Sequence, residues 1–356
     1  MFWKRDYSAT LVPGELRLQV KGGTKLLDAA LAAGLDWPHD CRVGSCGTCR
    51  CRLRSGQTKA LTDFSYTLSN DEIRAGMILA CQTRLKSDVV IDVTLGQASV
   101  ALDEVSGRIS TLRALTHDIL EVQIQPERRA FASARAGQYA EIEVPGIDGP
   151  RSYSFALAPA AAVDGSLVFF IRHVPGGAFT DWLFGADRRG AQVTMRGPFG
   201  AFHYRDGGGR MICIAGGSGL APIHALLAEA AQARVARECV VLFGARTQAD
   251  LYHLEELAAL GARWAAGFSL IPVLSAEPAD SDWRGERGFV TDTVRTRFGT
   301  SGLAAGDQGY LCGPPAMVDA GVDVLQSLGL AGETIFFDRF LDASSQPGGR
   351  AALPRA

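Results

Sequence analysis

At 356 residues the chain is too long for one ordinary domain, and two or three are expected, each burying its own core. Its 36 basic residues stand against 38 acidic ones, so the overall charge points to neither nucleic acid nor an anionic membrane surface. No apolar run approaches the ~20 residues of a membrane helix; the longest candidate, residues 211–223, contains three glycines and a proline.

The opening stretch, MFWKRDYSATLVPG, lacks an apolar secretory core, so a cytoplasmic protein with no membrane insertion of its own is expected. In a reducing compartment its eight cysteines read as metal ligands, catalytic thiols or small buried side chains rather than disulfides. In chain order, Leu16–Val20 alternates as a strand, Gly22 and Gly23 form a turn, and residues 25–33 (KLLDAALAA) carry helical periodicity up to Gly34. These lead into CRVGSCGTC. Cys41, Cys46 and Cys49 are spaced C-x4-C-x2-C, with Cys81 following later in MILACQT, and four thiolates so spaced can hold a 2Fe-2S cluster. Gly44 and Gly47 suit such a loop, because a backbone without Cβ folds tightly and aims its amides at sulfur. The rival is a zinc site built from Cys41, Cys46, Cys49 and Cys51. C-x4-C-x2-C-x-C is not a usual zinc spacing, however, and a thiol two residues beyond Cys49 on a departing strand points away from a compact cage.

Residues 1–97 resemble a plant-type ferredoxin domain, on the strength of WPHDCRVGSCGTCRC and LACQTRL. They carry 13 Lys and Arg against 10 Asp and Glu, whereas ferredoxins of that type are strongly acidic, so their mode of docking is not carried over. Arg42, Arg50, Arg52 and Arg54 lie on the loop and the strand leaving it, which leads us to expect an acidic or neutral face on the partner.

A second domain, residues 104–205, is read from short strands (SGRISTLRAL, HDILEVQIQ, QYAEIEV) separated by Gly, Pro and Asp, the pattern of an antiparallel barrel or sandwich. Within it RSYS (Arg151–Ser154) offers a guanidinium fork for phosphate, a ring to stack on a flat heterocycle and a hydroxyl for a ring nitrogen. Alone, RSYS could equally be any exposed strand. RHVPGGAFTDWLF adds a Gly-Gly turn ahead of a short apolar helix, where backbone amides can approach a pyrophosphate. Together the two favour flavin binding.

A third domain, residues 206–340, changes period. An apolar strand (211–215), the turn GGSGLAP, a helix over 223–233 and a strand at 239–243 make a βαβ unit, with nucleotide expected at the carboxyl ends of the strands. G-G-x-G is a weak dinucleotide signal by itself. Later strands are SLIPVLS and GYLCGPP; Cys312 in the latter could equally be core packing.

RSYS, VPGGAFT, GGSGLAP and CGPP, in this order, resemble the ferredoxin-NADP-reductase-like flavoproteins. With a ferredoxin in front, the chain is similar to the reductase components of multicomponent oxygenases as far as about Phe340. The resemblance implies a multidomain chain with α+β, all-β and α/β parts: a β-grasp 2Fe-2S ferredoxin, an antiparallel Greek-key FAD-binding barrel and a parallel-sheet Rossmann-like NAD-binding domain. It implies Cys41, Cys46, Cys49 and Cys81 as cluster ligands. Arg151, Tyr153 and Ser154 would hold FAD, with Tyr153 on the isoalloxazine and Ser154 near its reactive nitrogen. His173, Val174, Gly177 and Thr180 would line its phosphates and ribityl chain. Gly216, Gly217 and Gly219 would receive the nicotinamide dinucleotide, with Cys312 and Gly313 beside the nicotinamide and Phe340 at the flavin site. FAD rather than FMN is implied because the ferredoxin lies at the N-terminal end.

The implied function is transfer of electrons from NADH through FAD and the cluster to a terminal oxygenase or hydroxylase, soluble or membrane-bound, acting on an aromatic or alkyl hydrocarbon. A reductase serving deoxysugar dehydration and a non-enzymatic redox sensor are the alternatives; the sensor would not need a nucleotide domain. After the second strand of the third domain, Arg246 could pair with a 2′-phosphate and Asp250 could bond a ribose hydroxyl instead, and NADH is the expected donor. Hydride transfer obliges no protein acid or base, and none of the six histidines is assigned a catalytic proton. Residues 341–356, rich in Gly, Pro and Ser, are expected to be a flexible tail.

Overall fold

The computed structural model describes residues 5–39, 44, 47–64, 67–68, 70–95 and 102–340. The expectations at Cys41, Arg42 and Cys46 and for the tail lie outside these. The chain divides into two compact units, Met1–Ala101 and Leu102–Ala356. Among the described residues no helix is long and apolar enough to cross a membrane.

In the first unit the elements are β1 (Tyr7–Val12), β2 (Leu16–Val20), α1 (Leu26–Ala32), β3 (Arg50–Ser55), β4 (Thr58–Ala60), α2 (Asn70–Arg74), β5 (Met77–Leu79), β6 (Thr83–Leu85) and β7 (Val89–Asp92). The main sheet runs β2-β1-β7-β3-β5, with β1 and β7 parallel, and β4 pairs with β6 separately. Helix α1 buries Leu26, Leu27, Ala29 and Ala30, its apolar face at helical spacing, in a core shared with the wholly buried Trp37. Each such leucine contributes roughly 1.5–3 kcal/mol. This is a β-grasp unit.

The second unit begins with β8 (Asp103–Ala114), β9 (Ile119–Pro126), β10 (Tyr139–Glu143), β11 (Arg151–Ser154), β12 (Leu167–Arg172), α3 (Ala178–Gly185) and β13 (Gln192–Phe199). Their antiparallel order is β11-β10-β13-β8-β9-β12. Its two ends meet, through a Phe155–Phe169 bridge and an Ala156 N–H to Val168 carbonyl bond of 2.8 Å, closing a Greek-key barrel around Val122, Ile124, Phe155, Phe169 and Met195.

The chain then forms β14 (Met211–Gly216), α4 (Leu220–Gln232), β15 (Cys239–Ala245), α5 (Leu254–Ala262), β16 (Phe268–Leu274), β17 (Glu286–Arg287), α6 (Val290–Phe298), β18 (Gln308–Gly313), α7 (Pro315–Ser327) and β19 (Ile335–Arg339). The sheet β17-β16-β15-β14-β18-β19 is parallel throughout. β14 and β18 are buried along their whole length, as strands covered on both faces must be. Helix α4 starts at Leu220 rather than at Ile223. Pro222 is no obstacle there, because amides of the first turn have no intrahelical acceptor to lose. Strand order reverses between β14 and β18, the switch point at which open α/β sheets take ligands.

Candidate cluster, flavin and nucleotide sites

Cys49 closes the cysteine loop at the head of β3, and Cys81 lies in the 3-10 turn Ala80–Gln82. The Cys49 carbonyl accepts the Ala80 amide at 3.2 Å and the Trp37 indole N–H at 3.4 Å, so the backbone beside one expected ligand is tied to the backbone beside the other. Gly44 and Gly47 have φ of 94° and 74°, a left-handed backbone that glycine adopts without strain. A Cβ on Gly44 would lie 2.8 Å from Gln82 Cγ, and Thr67 Oγ1 donates to the Gly44 carbonyl at 2.6 Å. The described part of the loop thus fits a compact cluster cage. Cys51, on β3, directs its Sγ at the Ile78 carbonyl, 3.8 Å away, and burial followed by the neighbouring Cys49 pushes its thiol well up. It behaves as core. Of the loop arginines, Arg50 pairs with Glu72 at 3.2 Å and Arg54 with Asp92, while Arg52 donates to the Ala75 carbonyl at 2.8 Å.

In the barrel, β11 and the turn ahead of α3 come together: the Tyr153 ring lies 5.2 Å from that of Phe179. Burial raises the Tyr153 phenol, so it remains a protonated donor, and Ser154 is buried beside it. Arg151 is fixed by bonds to the carbonyls of Asp148, Gly149 and Pro150 at 3.0–3.2 Å. Gly177 caps α3, and a Cβ there would lie 2.9 Å from both Thr180 Oγ1 and the Val174 carbonyl. The Thr180 hydroxyl accepts from the Val174 amide at 3.1 Å and donates to its carbonyl at 2.9 Å, so it shapes the turn from within. His173 meets Asp181 at 2.8 Å and stacks on Phe184 at 4.8 Å. A ring, a hydroxyl, a guanidinium and the amides of a helix start fit a flavin nucleotide.

At the carboxyl edge of the parallel sheet lies a cleft of about 250 Å³. Gly216, Gly217, Arg246 and Asp250 all line it, and Asp118 and Arg172 of the barrel form its facing wall. Gly217 has φ 55°, and its carbonyl accepts the buried Tyr252 hydroxyl at 2.9 Å. Gly219 is not part of the lining. A Cβ on it would sit 2.3 Å from the Cys312 carbonyl oxygen, and one on Gly313 would sit 3.0 Å from the Gly216 carbonyl, so these glycines let the start of α4 rest on the end of β18. Cys312 is fully buried; burial, then Asp338, raises its thiol, which stays neutral. The Phe340 amide donates to the Gly313 carbonyl at 2.9 Å, bringing the end of β19 to the same place, with its ring half-buried against the core.

Arg246 and Asp250 bond each other at 3.5 Å. Asp250 Oδ2 also caps the following turn, accepting from the Thr247 amide at 2.9 Å and hydroxyl at 3.0 Å. The histidines have structural surroundings. His224 bonds the Ala156 carbonyl, and His253 stacks on Phe170 between Glu121 and Glu256. Burial, with Arg205 and Arg135 nearby, lowers His203 to about 4. Asp118, Arg172 and Tyr252 were not singled out from the sequence; Asp118 lies in an ordinary polar turn, and nothing local marks it.

Residues 10–86 match the 2Fe-2S iron-sulfur cluster binding domain, 107–204 the oxidoreductase FAD-binding domain and 213–323 the oxidoreductase NAD-binding domain. The chain is 43% identical over 351 residues to the xylene/toluene monooxygenase electron transfer component XylA of Pseudomonas putida, covering 95% of this chain and 97% of that one. It is 38% identical to the aromatic O-demethylase reductase subunit of an Amycolatopsis species, covering 93% and 98%. The crystal structure of the Amycolatopsis reductase GcoB superposes with a TM-score of 0.78 at 34% identity, covering 94% of this chain and 98% of that one.

Proposed function

Since the chain belongs to the iron-sulfur flavoprotein reductases that serve multicomponent oxygenases, we propose that it takes electrons from NADH and delivers them, through FAD and its 2Fe-2S cluster, to a terminal oxygenase attacking an aromatic or alkyl hydrocarbon. Bound FAD supplies the change from two-electron to one-electron chemistry that a hydride donor and a 2Fe-2S cluster require. In this reading Cys41, Cys46, Cys49 and Cys81 ligate the cluster. Tyr153 covers the flavin ring, Ser154 donates to it, and Arg151 with the amides of the Gly177 turn receives its phosphates. Gly216 and Gly217 admit the dinucleotide, while Gly219 lets the start of α4 rest on β18 and Gly313 lets β18 approach the end of β14, which forms its floor. Cys312 and Phe340 pack beside the nicotinamide end, excluding water from the reacting rings. The cytoplasm, which holds the NADH pool, is the compartment this reading requires.

The observation that carries the reading is the cleft at the strand ends, where Gly216, Gly217, Arg246 and Asp250 meet although the sequence separates them. The test is spectroscopic and kinetic. Purified protein should show combined flavin and iron-sulfur absorption and reduce ferricyanide with NADH in preference to NADPH. Absence of either chromophore, or equal use of the two nucleotides, would refute the corresponding part.

A further inference from the structure

Two carboxylates and two guanidinium groups face one another across the nucleotide cleft, and one of each comes from the barrel. Asp118, on the turn between β8 and β9, places Oδ2 3.0 Å from Arg172 Nε and 3.7 Å from Arg246 Nη2. Its Oδ1 accepts the Thr116 hydroxyl at 2.9 Å, and its carbonyl accepts the His173 amide at 2.8 Å, so the carboxylate is held in position. From the other wall, Asp250 Oδ1 reaches Arg246 at 3.5 Å and His117 at 3.5 Å, while its Oδ2 is committed to Thr247. Burial would raise the Asp118 carboxyl, but hydrogen bonds from Thr116 and Arg172 outweigh it and hold it below the usual carboxylate range. His117, Asp118 and Asp250 have ligand atoms within 4.8 Å of one another, yet the two arginines already supply the positive charge there.

We propose that Asp118 is a specificity-determining residue, which excludes 2′-phosphorylated dinucleotides by occupying Arg246 from the barrel side of the cleft. The inference rests on the reading of this cleft as the dinucleotide site. Arg246 follows the second strand of the βαβ unit, the position from which an arginine can accept a 2′-phosphate. With Arg172, Arg246, Asp118 and Asp250 together neutral, a ribose hydroxyl meets no net charge. A phosphate bearing about −1.5 to −2 must instead displace carboxylates from Arg246. Asp250 alone could not enforce this, since half of its carboxylate serves the Thr247 cap.

The test compares wild type, Asp118→Asn, Asp118→Glu, Arg246→Ala and the double variant Asp118→Asn/Arg246→Ala. For each, kcat/KM for ferricyanide reduction is measured with NADPH and with NADH, and the binding of 2′,5′-ADP and of 5′-AMP is measured by calorimetry. Asp118→Asn should raise the NADPH-to-NADH ratio about tenfold and tighten 2′,5′-ADP relative to 5′-AMP by a similar factor. Added salt should shrink this gain, and the double variant should lose it. Asp118→Glu should keep the wild-type ratio, and Arg246→Ala alone should lower it. An unchanged ratio in Asp118→Asn, or a gain that survives loss of Arg246, overturns the proposal. Should wild type bind neither 5′-AMP nor 2′,5′-ADP, the dinucleotide reading of the cleft is what fails. Should Asp118→Asn not fold, an unchanged ratio in Arg246→Ala overturns it equally.

Discussion

The cluster unit and the flavin–nucleotide unit use the same small residues to different ends. Around the proposed cluster the chemistry would sit in side chains, with Cys49 and Cys81 as the described thiols of that reading, and Gly44 and Gly47 turn the loop with positive φ. Around the nucleotide it sits in the backbone. Gly219 and Gly313 are required for close approach, and Cys312 is a neutral thiol packed into the end of β18. Burial does not tell the two kinds of cysteine apart, since Cys49, Cys51, Cys81, Cys213, Cys239 and Cys312 are all buried. What separates them is local structure: Cys49 precedes β3 and Cys81 sits in a 3-10 turn, whereas Cys51, Cys213, Cys239 and Cys312 lie within strands.

If that contrast holds, each unit can be disabled without the other. Cys49→Ser should take NADH-dependent cytochrome c reduction to background while ferricyanide reduction stays largely intact, since flavin serves that acceptor alone; equal loss of both would erase the distinction. The reciprocal lesion is Gly219→Ala, whose methyl would lie 2.3 Å from the Cys312 carbonyl oxygen. Backbone cannot yield as a flexible side chain can, so about 1–3 kcal/mol of strain is expected. NADH-dependent ferricyanide reduction should fall by about tenfold or more, while dithionite still bleaches the cluster. Full NADH activity in this variant would mean that the α4–β18 approach is not what shapes the turn.

Much of the cluster unit was legible in the chain because ligand spacing is local. Cys41 to Cys49 announces itself within nine residues, and the helix expected over 25–33 is found at Leu26–Ala32. The strand Tyr7–Val12 was not read, though it pairs with both β2 and β7. In the second unit RSYS stands out by its side-chain chemistry, and it forms β11. Its meeting with Phe179, and that of Asp118 with Arg246, depends on barrel closure and on the parallel sheet packing beside it. The same holds for the Tyr252 hydroxyl on the Gly217 carbonyl, 35 residues apart. No short pattern encodes such pairs; the fold makes them.

Acid should discriminate between the units through Glu121, a buried carboxylate of β9. Burial alone would raise it, but bonds from His253, Arg113 and Gln123 hold it down to about 2, from an ordinary 4.5. A depressed folded-state value means that its stabilisation is present above 4.5 and is lost as pH falls through about 2. The contribution at neutral pH is about 3 kcal/mol. Glu121→Gln should therefore flatten the acid limb of the unfolding curve for the barrel and its sheet, and a variant with an unchanged acid limb would mean that Glu121 does not set it.

The smallest effect concerns docking. Arg50 and Arg54 are neutralised by Glu72 and Asp92, which leaves Arg52 as the charge on β3 without a carboxylate partner among the described ion pairs. Arg52→Glu should slow electron delivery to the oxygenase about two- to threefold at low salt, with no difference at high salt. Salt-independent transfer in both proteins would argue against electrostatic docking.

In the proposed route electrons enter at the nucleotide cleft and leave from the cluster. Anaerobic stopped-flow mixing of the intact protein with NADH, followed at flavin and iron-sulfur wavelengths, resolves that order. Flavin absorption should fall first and cluster absorption should follow at a rate absent from Cys49→Ser. Cluster bleaching that precedes any change in the flavin would rule this route out.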